Sequence, residues 1–176
     1  MRYVVQHTEL VEGTVEARAY QLEAVDEALT GSMLLVLPTA AGKTAVSWML
    51  IAEILQKKQG WILFIAPTGA LVDQHTKDLN RVIKNYEAIS ITGVNEPKKR
   101  EKLWKTSRLI VATPQVVRND VLNGSLSLNK CSLLIWMKLT IQPENMPWLN
   151  LRRCIIQHQK VNLSLEQQLA QAQTQL

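Results

Sequence analysis

The chain has 176 residues, 47% of them hydrophobic and 20% charged. That balance fits one globular domain with one sizeable core and excludes a low-complexity or disordered chain. The formal net charge of +5 leans toward a polyanionic partner without requiring one.

No apolar run reaches the roughly 20 residues that cross a bilayer. The opening MRYVVQHTEL lacks the apolar core of a secretory signal. The expectation is a cytoplasmic, monomeric protein with no membrane partner. The two cysteines, Cys131 and Cys154, have no metal-ligand spacing and are expected as free thiols.

In chain order, VEARAYQLEAVDEAL reads as a helix, with Ala17, Tyr20, Ala24 and Ala28 at helical spacing and Gly31 as its stop. MLLVL (33–37) is a compact strand. Residues 43–58 return to helix and end in Lys57 and Lys58, which suit a helix C-terminus. WILFIA (61–66) is a second strand and ALVDQHTKDLNRVI the helix after it. Further strands are expected at 88–92, 108–112 and 132–135, with short helices near 96–106 and 115–122. Short apolar strands alternating with helices predict βαβ units, and so an α/β fold with a mostly parallel sheet covered on both faces.

That order stops after residue 135. Residues 136–176 hold eight Gln, against six in the 135 residues before them, and no Asp follows Asp120. No clean strand is expected there. LSLEQQLAQAQTQL allows a weak helix with Leu165, Leu169, Ala172 and Leu176 on one side. The division is therefore 1–135 as a partial ATP-binding domain and 136–176 as an aberrant tail, poorly ordered or weakly helical.

MLLVLPTAAGKTA carries the chemistry. A strand enters a small-residue loop and leaves through Gly42-Lys43-Thr44 into a helix. Small residues let backbone N–H groups converge on phosphate oxygens, and the helix N-terminus adds a favourable dipole. The Lys reaches the β and γ phosphates and the Thr hydroxyl sits on Mg²⁺. The first glycine of the full P-loop pattern would fall at Leu37, so the form here is P-T-A-A-G-K-T.

Four further stretches fall in a fixed order around this loop: ARAYQLEAV (17–25), APTGALVDQH (66–75), ITG (91–93) and VATPQVV (111–117). With PTAAGKT they resemble the first motor domain of superfamily 2 helicases. In detail they resemble the archaeal Hef type and its Fanconi anaemia M-type relatives, which act in DNA repair. The likeness covers residues 1–135 and implies a RecA-like P-loop fold, ATP and Mg²⁺ as cofactors, and DNA, branched DNA in particular, as partner.

The resemblance also implies roles by position. Gln21, with Arg18 beside it, would read adenine. Pro38, Thr39, Ala40, Ala41, Gly42, Lys43 and Thr44 would hold phosphate, with Thr44 on the metal. Ala40 stands where many relatives have Gly, which the loop tolerates if φ there is negative. Pro67, Thr68, Gln74, Thr92, Gly93, Thr113 and Pro114 would touch the nucleic-acid backbone; strand-end turn chemistry is the alternative reading of each. Hydroxyls and backbone N–H groups at strand ends suit phosphate contact without base readout. His75 reads as a solvated helix residue, and Trp61 and Trp104 as packing. The run Lys98, Lys99, Arg100, Lys102, Lys105 reads as a solvated helix face before a DNA contact.

In this family the strand matching SLLI continues into a D-E-A-H box. Its Asp holds Mg²⁺ and its Glu positions the attacking water. Here Ile135 is followed by Trp136-Met137-Lys138-Leu139-Thr140, with no carboxylate before Glu144. The genetic code explains the substitution. Trp is TGG, Met is ATG, and Lys begins AA. Regrouped by one base, these force GAT and GAA, which are Asp and Glu. Lys as AAG, Leu as CTC and Thr as ACN then allow Ala and His. IWMKLT is thus compatible with I-V-D-E-A-H read one base out of frame, and a one-base shift near Ile135 is the expectation, with a natural divergent tail as the alternative reading.

The chain is therefore expected to descend from an ATP-driven DNA helicase or translocase. It is expected not to hydrolyse ATP or unwind, since it carries no catalytic carboxylates and no recognisable second motor domain. A non-catalytic nucleotide or nucleic-acid binding module, a double-stranded RNA helicase fragment and another P-loop enzyme such as a small kinase stay open. The TPQ and APTGALVDQ stretches argue against the kinase. Sequencing the coding DNA across codons 130–145 checks the frame. The expected bases continue as D-E-A-H in the shifted frame, and a shifted frame that gives no Ala-His after Asp-Glu would contradict it.

Overall fold

The computed structural model describes residues 2–38, 41–57, 60–141 and 151–158, the last eight and residues 138–141 as backbone. A two-stranded antiparallel ribbon comes first, β1 (Tyr3–Val4) on β2 (Glu16–Ala17). Helix α1 (Ala19–Thr30) follows, then β3 (Met33–Pro38), α2 (Lys43–Gln56), β4 (Trp61–Ile65) and α3 (Gly69–Val82). The chain continues through β5 (Ala88–Ile91), α4 (Pro97–Thr106), β6 (Leu109–Ala112), α5 (Pro114–Leu122), β7 (Cys131–Ile141) and β8 (Leu151–His158).

Local chemistry sets the helix starts. Pro97 and Pro114 open α4 and α5, where a missing N–H costs nothing. The Thr68 hydroxyl accepts from the Leu71 N–H at 3.3 Å and caps α3.

The main sheet runs β3-β8-β7-β4-β6-β5. β4 pairs in parallel with β6 and β7, and β6 with β5. All five residues of β4 are buried, because helices cover both faces. Ile62, Phe64, Leu109, Val111, Leu133 and Ile135 pack with α1, α2 and α3 on one face. Leu63, Ile65, Ile110, Ala112, Leu134 and Trp136 pack with α4 and α5 on the other. Each fully buried aliphatic or aromatic side chain contributes roughly 1.5–3 kcal/mol.

Two features differ from the sequence-based expectation. Residues 15–18 are not helical: Glu16 and Ala17 pair with Val4 and Tyr3, and the helix begins at Ala19. The tail also supplies strand. β7 runs on to Ile141, and β8 lies antiparallel between β3 and β7, with Leu34 opposite Ile155 and Ile135 opposite Ile156. The expected helix in LSLEQQLAQAQTQL lies outside the described residues.

β8 reverses direction against β3 and again against β7, so β3 runs parallel to β7, β4, β6 and β5. The carboxyl ends of these five strands therefore share one edge. In this topology the tail contributes a ladder partner to β3 and to β7. Deleting residues 142–176 removes the strand that pairs with β3, and the lost ladder hydrogen bonds are expected to cost at least about 2 kcal/mol. Urea unfolding checks this; an unchanged midpoint would mean β8 does not hold β3.

Candidate functional site

The shared edge gathers most of the candidate residues. Gly42, Lys43 and Thr44 follow β3, Pro67 and Thr68 follow β4, Thr92 and Gly93 follow β5, and Thr113 and Pro114 follow β6. In open α/β sheets ligands bind outside the carboxyl ends of the strands.

The start of α1 is tied to the P-loop. The Gln21 side-chain oxygen accepts from the Arg18 N–H at 2.8 Å. Its Nε2 donates to the Ala41 carbonyl at 3.2 Å and to that of Gly42 at 3.1 Å. Gln21 is buried, whereas Arg18 is exposed. Tyr20, which sequence reasoning did not single out, donates its hydroxyl to the Ala41 carbonyl at 2.8 Å. Gly42 is required where it stands. Its φ is +81°, and a Cβ there would lie 2.1 Å from Gln21 Nε2.

Lys43 opens α2 and is 5% exposed. Its Nζ donates to the carbonyls of Leu37 and Pro38, the latter at 2.9 Å. The ammonium is thus held at the end of β3, beside the helix N-terminus where phosphate would sit. Thr44 is half-buried on the first turn of α2. Thr39 and Ala40 lie outside the described residues.

These groups fit a nucleoside phosphate: a buried ammonium, a helix N-terminus and a hydroxyl. The donor set for Mg²⁺ is incomplete. β7 reads CSLLIWMKLTI and contains no carboxylate. Met137 packs against the same side of the sheet as α2, while Trp136 is buried on the opposite side. Position 137, where the shifted frame puts aspartate, thus faces the P-loop helix, and a thioether there is a poor ligand for a hard cation. Among the described residues no group of three His, Cys, Asp or Glu side chains could hold a metal.

The other strand ends are polar and mixed in exposure. Thr68, Gln74 and Gly93 are exposed, Pro67, Thr92 and Pro114 half-buried, and Thr113 buried. Thr68 already serves as the cap of α3, so strand-end turn chemistry accounts for part of its role. The Thr113 N–H donates to the Ile91 carbonyl at 3.4 Å, which links two of these ends.

Two side chains, His75 and Arg100, differ from expectation. His75 is buried, not solvated, and its ring lies 4.8 Å from that of Phe64. Trp61 and Trp104 pack as expected, with ring centroids 6.2 Å apart. Lys98, Lys99, Lys102 and Lys105 are exposed, but Arg100 turns inward. Its Nε and Nη2 each donate to Asp120 at 2.8 Å. Hydrogen bonding from Arg100 holds the Asp120 carboxyl below its usual range, with burial opposing the shift. Cys131 is a free thiol, pushed up to about 12 by burial; the Cys154 side chain is outside the described residues. No described helix is long and apolar enough to cross a membrane.

Comparison with known proteins agrees with this geometry. The DEAD/DEAH box helicase family model matches residues 18–136. A Methanocaldococcus jannaschii protein, named by inference an ATP-dependent RNA helicase, is 41% identical over 74% of this chain and 17% of its own length. The ATP-dependent DNA helicase MPH1 of Eremothecium gossypii is 34% identical over 77% of this chain and 13% of its own. The crystal structure of the Pyrococcus furiosus Hef helicase domain superimposes with a TM-score of 0.64 at 36% identity, over 68% of this chain and 26% of that one. The chain thus spans a small part of each relative's length.

Proposed function

The chain belongs to the DEAD/DEAH box helicase family, and from that premise we propose that it is the ATP-binding part of a superfamily 2, Hef-type DNA helicase or translocase that holds nucleotide without turning it over. One observation carries the reading. The P-loop end of β3 has its ammonium and hydroxyl in place, while β7 offers Met137 and Lys138 where the carboxylate pair of the family would stand.

In this reading Lys43 exchanges the carbonyls of Leu37 and Pro38 for phosphate oxygens. Thr44 supplies a hydroxyl to the metal, and Gly42 brings its backbone close to the phosphates. Bound Mg²⁺ would screen charge on the triphosphate. Gln21, with Arg18 on the same turn, holds the loop shape from the adenine side. Pro67, Thr68, Gln74, Thr92, Gly93, Thr113 and Pro114 form a sequence-independent contact for a phosphodiester backbone. Without an acid beside the γ-phosphate no group orients the attacking water, so binding is uncoupled from hydrolysis. The protein works in the cytoplasm as a monomer, on branched DNA.

A duplex RNA substrate is the second reading, favoured by the RNA-helicase name of the Methanocaldococcus relative. Competition between DNA and RNA duplexes separates the two. For the nucleotide site, Lys43→Ala is expected to weaken ATP binding by roughly ten- to a hundredfold, the worth of a charge-assisted hydrogen bond. Titration with a fluorescent ATP analogue checks it, and unchanged affinity would mean that the loop is only structural.

A further inference from the structure

The buried Arg100 and Asp120 belong to a longer chain of hydrogen bonds. Asp120 is 1% exposed on the last turn of α5, the helix that starts at Pro114. Its carboxylate receives both arms of the Arg100 fork and the Trp104 indole N–H, each at 2.8 Å. The remaining arm of Arg100, Nη1, donates to the Asn95 carbonyl at 2.7 Å. The Asn95 side-chain oxygen in turn accepts from the Thr92 N–H at 2.7 Å, and the Asn95 N–H donates to the Thr92 carbonyl at 3.1 Å.

The path therefore begins on the last turn of α5, the helix that Thr113 and Pro114 open, crosses α4, and ends on the turn that carries Thr92 and Gly93. A salt bridge needed only to dock α4 on α5 would use two arms of the guanidinium and stop there. The third arm and the Asn95 amide extend it to a strand-end loop whose one apolar side chain, Val94, is 91% exposed. With that side chain in solvent, the loop depends heavily on its hydrogen bonds. Arg is suited to this task because its donors lie in one rigid plane, so one side chain can serve two elements at a set angle.

We propose that Asn95, Arg100 and Asp120 are positioning residues that set the spacing of the Thr92–Gly93 and Thr113–Pro114 loops against a phosphodiester backbone. The inference rests on the proposed nucleic-acid contact at these loops and adds the residues that hold its geometry.

Asn95 gives the cleanest test, because Asn95→Ala removes the side-chain acceptor of the Thr92 N–H and leaves the backbone bond to the Thr92 carbonyl, the Arg100–Asp120 bridge and the Asn95 carbonyl in place. Binding of a labelled single-stranded oligodeoxynucleotide and of a fluorescent ATP analogue are measured on the full chain, with the thermal midpoint as a control for folding. Asn95→Ala is expected to weaken DNA binding about three- to tenfold with ATP affinity unchanged, and Asn95→Ser, whose hydroxyl can accept the same bond, to recover part of the loss. Arg100→Lys should weaken DNA binding at least as much. Tight DNA binding by wild type and Asn95→Ala alike would overturn the inference and leave the nucleic-acid reading standing. No DNA binding by the wild-type chain would overturn that reading, and the inference with it.

Discussion

Burial of the central strands on both faces is the constraint on which the rest depends. β4 has no residue free to face water, and β6 likewise has all four buried. Here they pair in parallel, with their connecting helices on the faces. That arrangement brings the P-loop and three polar strand-end turns to one edge. The chemistry of the site is a consequence of this shared direction, since none of those turns is near another in sequence.

The edge has an electropositive, phosphate-accepting half and an incomplete metal half. On the first, Gly42, Gln21 and Tyr20 lock the loop so that the Lys43 ammonium stays buried at the strand end. A buried ammonium is costly unless its donors are paired, and the Leu37 and Pro38 carbonyls pair it. On the second, Met137 and Lys138 stand where the shifted frame would put the two acids. Trp136 does not disturb the fold, because it points to the buried face and joins the packing around Ile65 and Ala112.

Much of this was legible in the sequence. Helical and strand periodicity located the described helices and the strands β3 to β6 to within a few residues, because burial on defined faces imposes that pattern, whereas β7 was read six residues too short. The P-loop was legible because its glycine and lysine have few other uses at a strand–helix junction. What was not legible depends on distant partners. Glu16–Ala17 reads as helix until Tyr3–Val4 pairs with it. LRRCIIQH has no alternation to announce a strand, and it becomes β8 because the gap between β3 and β7 presents unpaired ladder groups on both sides. His75 was misread although Val72, His75, Leu79 and Val82 share one face of α3; its polarity outweighed its phase. Asp120 was overlooked for a similar reason, lying in phase with Val116 and Val117 on the buried face of α5. Arg100 was hidden in a lysine-rich run whose other members are solvated.

The central claim is that this site holds ATP and does not cleave it, because β7 ends without carboxylates. A single-turnover experiment, with protein in excess over radiolabelled ATP and Mg²⁺, tests it most directly. The account predicts that ATP is retained by the protein and recovered intact. Phosphate release that rises with protein concentration and disappears in Lys43→Ala would contradict it, and would mean that another group at this edge performs the task of the missing acids.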